Sequence, residues 1–586
     1  MIEKMTKYNF VLLTDEVDAF LTSIQEIGLV DITRSSKAVD DKSSDMYSEA
    51  EVLRKRIEDI EAEKFTRDPE YVQLAARRAE AQKEYVERLP WGEFDRSAIE
   101  KLSGFGLKMR FYSVSAKAFD PAWKELYALE VASENASSVN FVTVGPAEGY
   151  EFPANECSAP AGPASETQAE IESLSEKIAA KEAALLAEKD QLPQLKAQYA
   201  CMLETLDKYL ADAGKATAAE DKISVIEGFA PSERDAELAE RFDSLGVLYY
   251  KEDAKEEDNP PIKLVNNRFS KLFESITGMY GMPIYGEFDP TPILSIFFML
   301  FFAMCMGDAG YGIVLLVFGI ALNKKWIDFE MFRGLGTLIS ILGGATFVVG
   351  MVLGTAFGVN LYEAAWVPDA MKSFMISDSI KIMGYSAQMV LAIGIGIFHI
   401  CLAMVVKAAL FTYRDGFRAS LGTWGWTLLI VGGVLAFGAG MLLKLDPAVI
   451  KWIIIGIAVV SALGIFVFNT PGRNPLINIG AGLWDAYQMA TGLLGDLLSY
   501  IRLYALGLAG GLLGGSFNTL GQMVLGDHPT WNWVPYAIIL ILGHVLNVLM
   551  SSLGAFVHPL RLTFVEYFKN SGYTGEGRYY NPLSKK

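Results

Sequence analysis

The stretch LLGDLLSYIRLYALGLAGG, from Leu493 to Gly511, places a permanently charged side chain, Arg502, in the middle of an apolar run. A charge at the centre of a membrane helix costs at least about 2.5 kcal/mol unless it faces water or an anion. Asp496 is six residues away and about 120° around a helix, which makes it a poor partner. Five further acids fall in predicted turns or loops: Asp308, Asp328, Glu363, Asp378 and Asp446. We therefore expect the counter-ion of Arg502 to lie on another chain.

Arg502 belongs to one of two polar stripes, each on one face of a long predicted helix. In segment 482–525 the small and polar residues alternate by three and four positions, which is the helical repeat; they are Asp485, Gln488, Gly492, Gly495, Ser499 and Arg502. Segment 533–568 has the same spacing at His544, Asn547, Ser551, Gly554, His558 and Arg561. Both segments exceed the roughly 20 residues that cross a bilayer, so we expect them to be strongly tilted. Such stripes are typical either of helix packing or of a water-lined path.

Six apolar segments precede these two: 292–306, 309–322, 335–358, 387–406, 423–443 and 450–468. Only Gly307 and Asp308 separate the first two, so a single helix of about 31 residues is the alternative. With eight spans, eleven basic residues lie in loops on one side: Lys324, Lys325, Arg333, Lys407, Arg414, Arg418, Arg473, Lys569, Arg578, Lys585 and Lys586. The other side holds three: Lys372, Lys381 and Lys444. The positive-inside rule therefore predicts eight helices in 292–586, with both chain ends in the cytoplasm.

The first 291 residues differ from the rest in charge and pattern. They carry 34 Lys and Arg against 56 Asp and Glu, and the remainder carries 17 against 13, so the net charges are −22 and +4. An acidic surface argues against a nucleic-acid partner. Four β-rich runs predict strands of two small α/β lobes: Tyr8 to Leu13, Met109 to Val114, Val139 to Val144, and Ile223 to Pro231.

Two charged stretches with helical apolar spacing, 47–89 and 166–210, lie between those strands. We predict a cytoplasmic α+β dumbbell, in which a long antiparallel coiled-coil hairpin (46–90 and 166–212) joins two lobes. The proximal lobe combines 1–45 with 215–291, and the distal lobe is 91–165. Pro193 is expected to kink the second helix. A generic α/β domain with a coiled-coil insertion fits the same pattern.

Several kinds of site are not predicted. The first half has neither G-x-x-x-x-G-K-[ST] nor G-x-G-x-x-G, so we expect no nucleotide binding, cofactor or catalytic residue there. The four cysteines show no CxxC spacing, so neither a metal site nor a disulfide framework is indicated. The opening MIEKMTKYNF lacks an apolar h-region, which leaves no signal peptide and favours a cytoplasmic first half.

Three motifs closely resemble those of subunit a of V-type ATPases, which is called subunit I in bacterial and archaeal V/A enzymes. The quoted stretch around Arg502 resembles the family's signature, with Arg502 matching its essential arginine. GAFVHPLRLTFVEYF, Gly554 to Phe568, resembles its final helix, with Arg561 matching the second arginine. MGDAGYG, Met306 to Gly312, is similar to the turn between its first two membrane helices. IEGFAP and the opening residues also fit, so the resemblance spans nearly the whole chain.

The resemblance implies a non-catalytic stator subunit that forms two offset half-channels for H⁺ or Na⁺ against a rotating proteolipid ring. Arg502 would attract the ionised ring carboxylate and block ion leakage, and an arginine cannot itself release a proton. Arg561 would share that task, while His558, Ser551, Asn547 and His544 would line the external half. Asp496 would help to hydrate the cytoplasmic half, and Ser499, Gln488, Asp485 and Glu566 are further candidates for lining a half-channel, although Glu566 is equally an ordinary interfacial residue. Many eukaryotic members have a glutamate where Ser551 stands, which leaves the ion open.

The resemblance also implies partners and a location. The cytoplasmic arm would dock peripheral stalks of the E/G type and approach the central stalk's socket subunit, of the C/d type. The chain would be a multi-pass plasma-membrane protein of a prokaryote. The alternative from the residues is a self-contained secondary ion transporter, which predicts inverted repeats and broken helices in both halves. The two unusual helices instead lie next to each other near the end of the sequence.

Overall fold

The computed structural model describes residues 1–585 except 36, 136, 219, 221, 327–331, 333, 377, 383, 444–445, 467–474 and 527–531. Among the predicted loop residues, Asp328, Arg333, Lys444, Arg473 and Lys586 therefore lie outside the described part. The fold is mostly helical and has an α/β N-terminal region, as the sequence predicts. Contacts divide the chain into two compact units: 1–14, 29–33 and 216–582 form the first, and 15–28, 34–215 and 583–586 form the second.

The strands, in chain order, are β1 Met5–Leu13, β2 Asp31–Ile32, β3 Leu107–Ser115, β4 Leu129–Glu134, β5 Ser138–Pro146, β6 Glu156–Cys157, β7 Ala216–Ala218, β8 Ile223–Pro231, β9 Leu248–Asp253, β10 Thr355–Ala356, β11 Val359–Asn360, β12 Lys381–Ile382 and β13 Tyr385–Ser386. The helices of the first 290 residues are α1 Val17–Ile27, α2 Asp41–Glu61, α3 Pro69–Arg88, α4 Arg96–Gly104, α5 Trp123–Leu126, α6 Ala164–Ala187, α7 Leu192–Ala213, α8 Asp235–Leu245 and α9 Glu274–Tyr280. The later helices are α10 Thr291–Met306, α11 Ala309–Asn323, α12 Gly336–Leu353, α13 Asp369–Lys372, α14 Ala387–Asp415, α15 Leu421–Leu442, α16 Pro447–Phe466, α17 Pro475–Ser499, α18 Ile501–Leu525, α19 Trp533–Arg561 and α20 Phe568–Ser571. A π-helical turn, Leu562–Tyr567, joins α19 to α20.

The second unit pairs helices in opposite directions. Tyr71 donates a hydrogen bond to Glu182 at 3.0 Å, and Arg77 forms an ion pair with Glu170 at 2.8 Å. Because residue numbers rise along α3 while they fall along α6, the two helices are antiparallel. This unit also holds a four-stranded antiparallel sheet with the order β4-β5-β3-β6. The predicted strands of 109–114 and 139–144 lie side by side in it.

Each predicted arm helix is divided in two, which corrects the expectation of two unbroken helices. The first is interrupted near Glu63, whose φ of 50° lies in the left-handed region, and by a 3₁₀ turn at 65–67. The second is interrupted by a 3₁₀ turn at 188–191, and Pro193 lies in the first turn of α7, where proline is tolerated. Arg67 connects the two breaks, because it donates to the Leu185 carbonyl at 3.1 Å and pairs with Glu188 at 3.3 Å.

The first unit begins with a five-stranded sheet of order β2-β8-β1-β9, with β7 beside β8. The two strands predicted at 8–13 and 223–231 are immediate neighbours, since β1 pairs antiparallel with β8 from Met5 opposite Pro231 to Leu13 opposite Ile223. Phe242 of α8 packs edge-on against Phe10 at a centroid distance of 5.0 Å. This aromatic contact holds the helix on one face of the sheet.

The last residues of this unit return to that sheet. Tyr580 donates through its hydroxyl to the Leu29 carbonyl at 2.5 Å, and the backbone amide of Asn581 donates to the Asp31 carboxylate at 3.1 Å. The backbone of Ile262 is bonded on both sides, to Arg578 at 2.7 Å and to Tyr580 at 3.1 Å. We call residues 573–582 the tail. It joins the end of the membrane helices to the sheet.

Gly307 and Asp308 separate α10 from α11, so the described segment 292–322 is two helices. Gly307 ends α10 with a φ of +58°, which glycine adopts without strain. Asp308 is 1% exposed, and its carboxylate accepts from three backbone amides: Tyr311 at 3.1 Å, Phe357 at 2.8 Å and Gly358 at 2.8 Å. A carboxylate satisfied in this way is stable when buried and fixes the start of α11.

Six described helices or helix pairs are long and apolar enough to cross a membrane, and α10 and α11 are shorter. Several boundaries differ from prediction, and α17 for example begins at Pro475 rather than at 482. Helix α12 ends at Leu353 rather than 358, because Gly354 adopts a φ of +75°. Helix α14 runs nine residues past its predicted end, to Asp415, so Lys407 and Arg414 lie in a helix and not in a loop. The segment predicted as 482–525 is α17 and α18, interrupted at Tyr500.

Candidate functional site

Arg502 lies in the first turn of α18, just after the break at Tyr500. At this break the helix tightens, since the amide of Tyr500 bonds to Leu497 at 3.1 Å and that of Leu503 bonds to Tyr500 at 3.1 Å, both three residues back. Tyr500 is fully buried, and its hydroxyl shares a hydrogen bond of 2.9 Å with Nδ1 of His399 on α14. The junction that carries Arg502 is therefore fixed by a neighbouring helix.

His399 also contacts the other arginine-bearing helix. Its ring stacks on Tyr567 with a centroid distance of 4.6 Å and an interplanar angle of 8°. Tyr567 ends the π-helical turn that follows Arg561. One buried imidazole thus lies between α18 and the end of α19. Its hydrogen bond to Tyr500 makes His399 an interhelical hydrogen-bonding residue.

Arg502 lies near a second positive charge. Its Nη1 atom is buried and makes no hydrogen bond to any residue the structure describes. His558 lies within electrostatic reach of both Arg502 and Arg561, so α19 brings a second arginine to the same place. Arg561 itself is exposed. Helices α18 and α19 therefore each carry an arginine near His558. Arg502 is half-buried, and its Nη1 atom is buried with no hydrogen-bond partner among the described residues.

A group of polar residues lies on the side of Arg502 that faces the tail. Asp496 is 8% exposed and accepts hydrogen bonds from Asn570 at 2.8 Å and Lys569 at 3.4 Å. Glu566 is 2% exposed, and its Oε2 atom has no hydrogen-bond partner in the described part of the chain. The Ser499 hydroxyl lies beside that carboxylate. We call these five residues the tail-side cluster.

A second polar network lies on the opposite side of Arg502. Asn547 is 1% exposed and donates to the Tyr311 hydroxyl at 2.8 Å and to the Gly510 carbonyl at 2.9 Å. Ser551 donates to the side-chain carbonyl of Asn547 at 3.1 Å. His544 bonds to Tyr311 at 2.9 Å. We call Tyr311, His544, Asn547 and Ser551 the far-side network.

His544 extends this network to α18, because its Nε2 atom bonds to Asn518 at 3.1 Å. Asn518 in turn donates to the Phe357 carbonyl at 2.7 Å. Three residues of the predicted stripe on α19, His544, Asn547 and Ser551, therefore belong to this hydrogen-bond network. Gly554, from the same stripe, is also partly buried. The remaining side of α19 is apolar and exposed, as at Leu549 and Leu553.

Comparisons with known proteins show which family this chain is similar to. Residues 216–357 match the V-type ATPase 116 kDa subunit family. The A-type ATP synthase subunit I of Methanocaldococcus jannaschii is 30% identical over 465 residues, which is 74% of this chain and 66% of that protein. This chain belongs to the V-type ATPase 116 kDa subunit family.

Two other relatives in this family show the same range of similarity. The A-type ATP synthase subunit I of Pyrococcus abyssi is 30% identical over 58% of this chain and 50% of its own length. The V-type ATP synthase subunit I of Borreliella burgdorferi is 27% identical over 62% of this chain and 60% of its own length. The chain thus spans about half to two thirds of the length of the relatives it matches.

Two predicted site residues belong neither to the tail-side cluster nor to the far-side network. Gln488 is exposed on α17, and Asp485 is half-buried one turn earlier. Ser499, from the same stripe, instead lies beside Glu566, and Asp496, on another face of α17, is bonded to Asn570. The stripe on α17 therefore changes from an exposed to a packed environment as it approaches Arg502.

Sequence reasoning missed Tyr311, Asn518 and Asn570 as members of the two clusters. Tyr311 lies in the quoted motif MGDAGYG, but its partner Asn547 is 236 residues away. Asn570 lies beyond the predicted end of the eighth segment. The signal that could have suggested Tyr311 is its position three residues after the turn acid Asp308. Asn518 and Asn570 give no local signal in the sequence.

Proposed function

We propose that this chain is the stationary membrane subunit of a rotary V/A-type ATPase, a subunit that itself catalyses no reaction. In this role its membrane helices provide two half-channels for H⁺ or Na⁺ beside a ring of proteolipid subunits. Membership of the family and the run of apolar helices support a membrane protein of this class. The half-channels and their partners are the proposed part.

The observation that carries the proposal is the buried Nη1 atom of Arg502. A buried guanidinium group costs several kcal/mol unless an anion or hydrogen-bond acceptor faces it. Within the described residues this nitrogen has no acceptor, and the cationic Arg561 acts on the same histidine as Arg502. A carboxylate supplied by a second protein at the α18–α19 face would complete the pair, as a ring carboxylate does in this proposal.

The two polar clusters support a path that is offset around Arg502. Glu566 and Asn547 are 19 residues apart on one nearly continuous helix, which is about 28 Å along the axis. Arg561 lies between them. An ion would reach the ring carboxylate from one cluster and leave it toward the other, and two fixed positive charges would prevent direct passage between the clusters. We infer that the tail-side cluster serves the cytoplasmic half-channel and the far-side network serves the external one.

The second unit fits the role of a stator arm. Its paired helices α2, α3, α6 and α7 are joined across both breaks by ion pairs such as Arg67–Glu188 and Lys196–Glu61. We propose that its four-stranded sheet docks E/G-type peripheral stalks and that the five-stranded sheet approaches the C/d-type socket subunit. The net charge of −22 on residues 1–291 favours partners with basic surfaces.

The test compares wild type with Arg502→Ala in the assembled complex, reconstituted into vesicles and energised with ATP. Internal pH and ²²Na uptake are followed in parallel. Arg418→Ala is the matched control, because Arg418 is an exposed arginine in a short connection between α14 and α15. We expect Arg502→Ala to abolish transport and Arg418→Ala to leave the rate unchanged, with both complexes fully assembled on native gels.

Transport at the wild-type rate in an assembled Arg502→Ala complex would overturn the proposal, because the arginine would then be a structural residue. The wild-type measurement also identifies the ion. Acidification without ²²Na uptake identifies H⁺, and ²²Na uptake that persists in the presence of a protonophore identifies Na⁺.

A further inference from the structure

A cavity of about 190 Å³ lies beside α18, along the residues that follow Arg502 in the sequence. Its wall includes Leu503, Tyr504, Gly507, Leu508, Gly511 and Leu512, so it follows one face of α18 for about 15 Å. The opposite wall comes from the segment between α12 and α14, through Thr355, Gly358, Asn360 and Asp378, and from Gln388 in the first turn of α14. A space of this volume with polar walls holds several water molecules.

The cavity is at the end of the helices that lies away from the five-stranded sheet. Helix α14 is 29 residues long, which is about 43 Å. At its last turn Arg414 pairs with Glu256, close to the sheet, at 3.5 Å. At its first turn Gln388 donates to the carbonyls of Leu353 and Ile376 and lines the cavity. The cavity and the sheet are therefore at opposite ends of one membrane-length helix.

Asp378 is the one charged residue among the described side chains that line this cavity. Its carboxylate accepts a hydrogen bond of 2.9 Å from the Tyr504 hydroxyl. Tyr504 lies two residues after Arg502, so this bond ties the loop acid to the helix that carries the arginine. The other polar lining side chains are neutral: Thr355, Asn360 and Gln388. Such a wall attracts cations and repels anions.

The close packing around the cavity leaves α18 accessible on one side only. A Cβ atom at Gly507 would lie 2.7 Å from the Met304 carbonyl, so α10 is in direct backbone contact with α18 there. Leu512, which borders the cavity farther along, is 63% exposed. The cavity therefore continues from the loop wall toward the exposed face of α18, past the turn at Gly507.

We propose that this cavity is a cation vestibule, in which Asp378 draws a hydrated monovalent cation from the non-cytoplasmic side toward α18. The proposal rests on the proposed function, because it supplies the outer end of one half-channel. It assigns a role to Asp378 and Tyr504 in addition to the far-side network. Tyr504 acts as a positioning residue that holds the carboxylate against α18.

The test measures how fast charged thiol reagents reach the vestibule, independently of transport. Thr355→Cys is introduced into a background in which Cys157 and Cys201, the two cysteines that are not buried, are serine. Membrane-impermeant cationic and anionic methanethiosulfonates are added to the non-cytoplasmic side of the assembled complex. Phe374→Cys is the matched control, because this residue of the same connecting segment is 80% exposed and does not line the cavity.

We expect the cationic reagent to modify Thr355→Cys at least several-fold faster than the anionic one, and Phe374→Cys to show little preference. Adding Asp378→Asn should remove the preference at Thr355→Cys. An unchanged preference in Asp378→Asn, or modification only from the cytoplasmic side, would overturn the vestibule. If Thr355→Cys fails to assemble, Leu508→Cys gives the same measurement from the helix wall.

A failure of the vestibule proposal can be distinguished from a failure of the proposed half-channel function. The reagent preference reports on the vestibule whether or not Arg502→Ala transports ions. Loss of transport in Arg502→Ala together with no charge preference at Thr355→Cys rejects the vestibule alone. A strong preference together with normal transport in Arg502→Ala rejects the half-channel role of Arg502 and retains a cation site at Asp378.

Discussion

Asp496, a member of the tail-side cluster, is held in place by two side chains from the end of the last helix. Its carboxylate is 8% exposed and accepts from Asn570 at 2.8 Å, while the Lys569 ammonium lies at 3.4 Å. The longer distance and the exposure of Lys569 make that ion pair weak. Asp496 is therefore held mainly by Asn570, and its contact with Lys569 is the weaker of the two.

We predict that Asp496→Asn lowers the initial rate of ATP-driven ion uptake several-fold without loss of assembly. The amide oxygen still accepts from Asn570, so the fold is retained while the charge is removed. Asp415→Asn is the control, since Asp415 ends α14 in an exposed position. Equal uptake rates for Asp496→Asn and wild type would show that the carboxylate is structural only.

The sequence predicts which residues are chemically unusual better than it predicts their partners. A charge in an apolar run identifies Arg502 and Arg561 because the cost of burial is a property of the residue itself. The partners of Asn547 and Tyr500 are set by packing between segments more than 100 residues apart. Tyr500 is one turn from Asp496 in the sequence, yet its hydroxyl bonds to His399 on another helix.

At the scale of elements, α14 determines the geometry around the break between α17 and α18. Gly396 of α14 faces the ring of the fully buried Tyr500 so closely that a Cβ atom there would overlap it. Gly394, two residues earlier on the same helix, faces open space, because a Cβ atom added there would have no neighbour within 4 Å. The two glycines therefore form a matched pair.

We predict that Gly396→Ala lowers the unfolding temperature of the complex, or its resistance to denaturant, whereas Gly394→Ala leaves it unchanged or raises it slightly. Overpacking of a buried contact costs about 1–3 kcal/mol. The exposed substitution removes only the flexibility of glycine within a helix, worth about 0.5–1 kcal/mol in the stabilising direction. Equal effects of the two substitutions would mean that Tyr500 is free to move.

The sequence predicts the end of a helix where a residue at that position favours it. The division at Gly307 and Asp308 follows from a glycine and a capping acid, both visible in the sequence. The break at Tyr500 has no glycine or proline near it, and the interruption at Glu63 uses a residue type that rarely adopts a positive φ. At Tyr500 contacts from other helices override local preference, so periodicity alone predicts a continuous helix. After Glu63, by contrast, Asp68 caps α3 and Pro69 stands in its first turn, and both signals are visible in the sequence.

At the scale of the whole molecule, the tail makes the five-stranded sheet depend on the membrane helices. Tyr580 reaches the Leu29 carbonyl, and the guanidinium group of Arg578 lies 5.7 Å from the centre of the Phe229 ring. Tyr573, earlier in the tail, donates to the Gly281 carbonyl at 2.7 Å just before α10 begins. The tail therefore contacts the sheet at one end and the start of the membrane part at the other.

We predict that Tyr580→Ala increases the rate at which protease cuts the connection between β9 and α9, while Glu576→Ala does not. Burial raises the pKa of the Tyr580 phenol, so the group stays neutral and donates to Leu29; the variant loses both the burial and the hydrogen bond. Glu576 is exposed in the same tail and serves as the control. Identical digestion patterns for the two variants would show that the tail does not stabilise this region.

The tail contact also sets the order in which the protein can be made. Tyr580 and Leu29 are 551 residues apart in the chain. At translation rates of about 5–20 residues per second, the ribosome needs roughly 30–110 s to travel between them. During that time Leu29 and the neighbouring β2 lack the tail, while the membrane-spanning helices that the structure describes are synthesised. The tail contacts can therefore form only after those helices have been made.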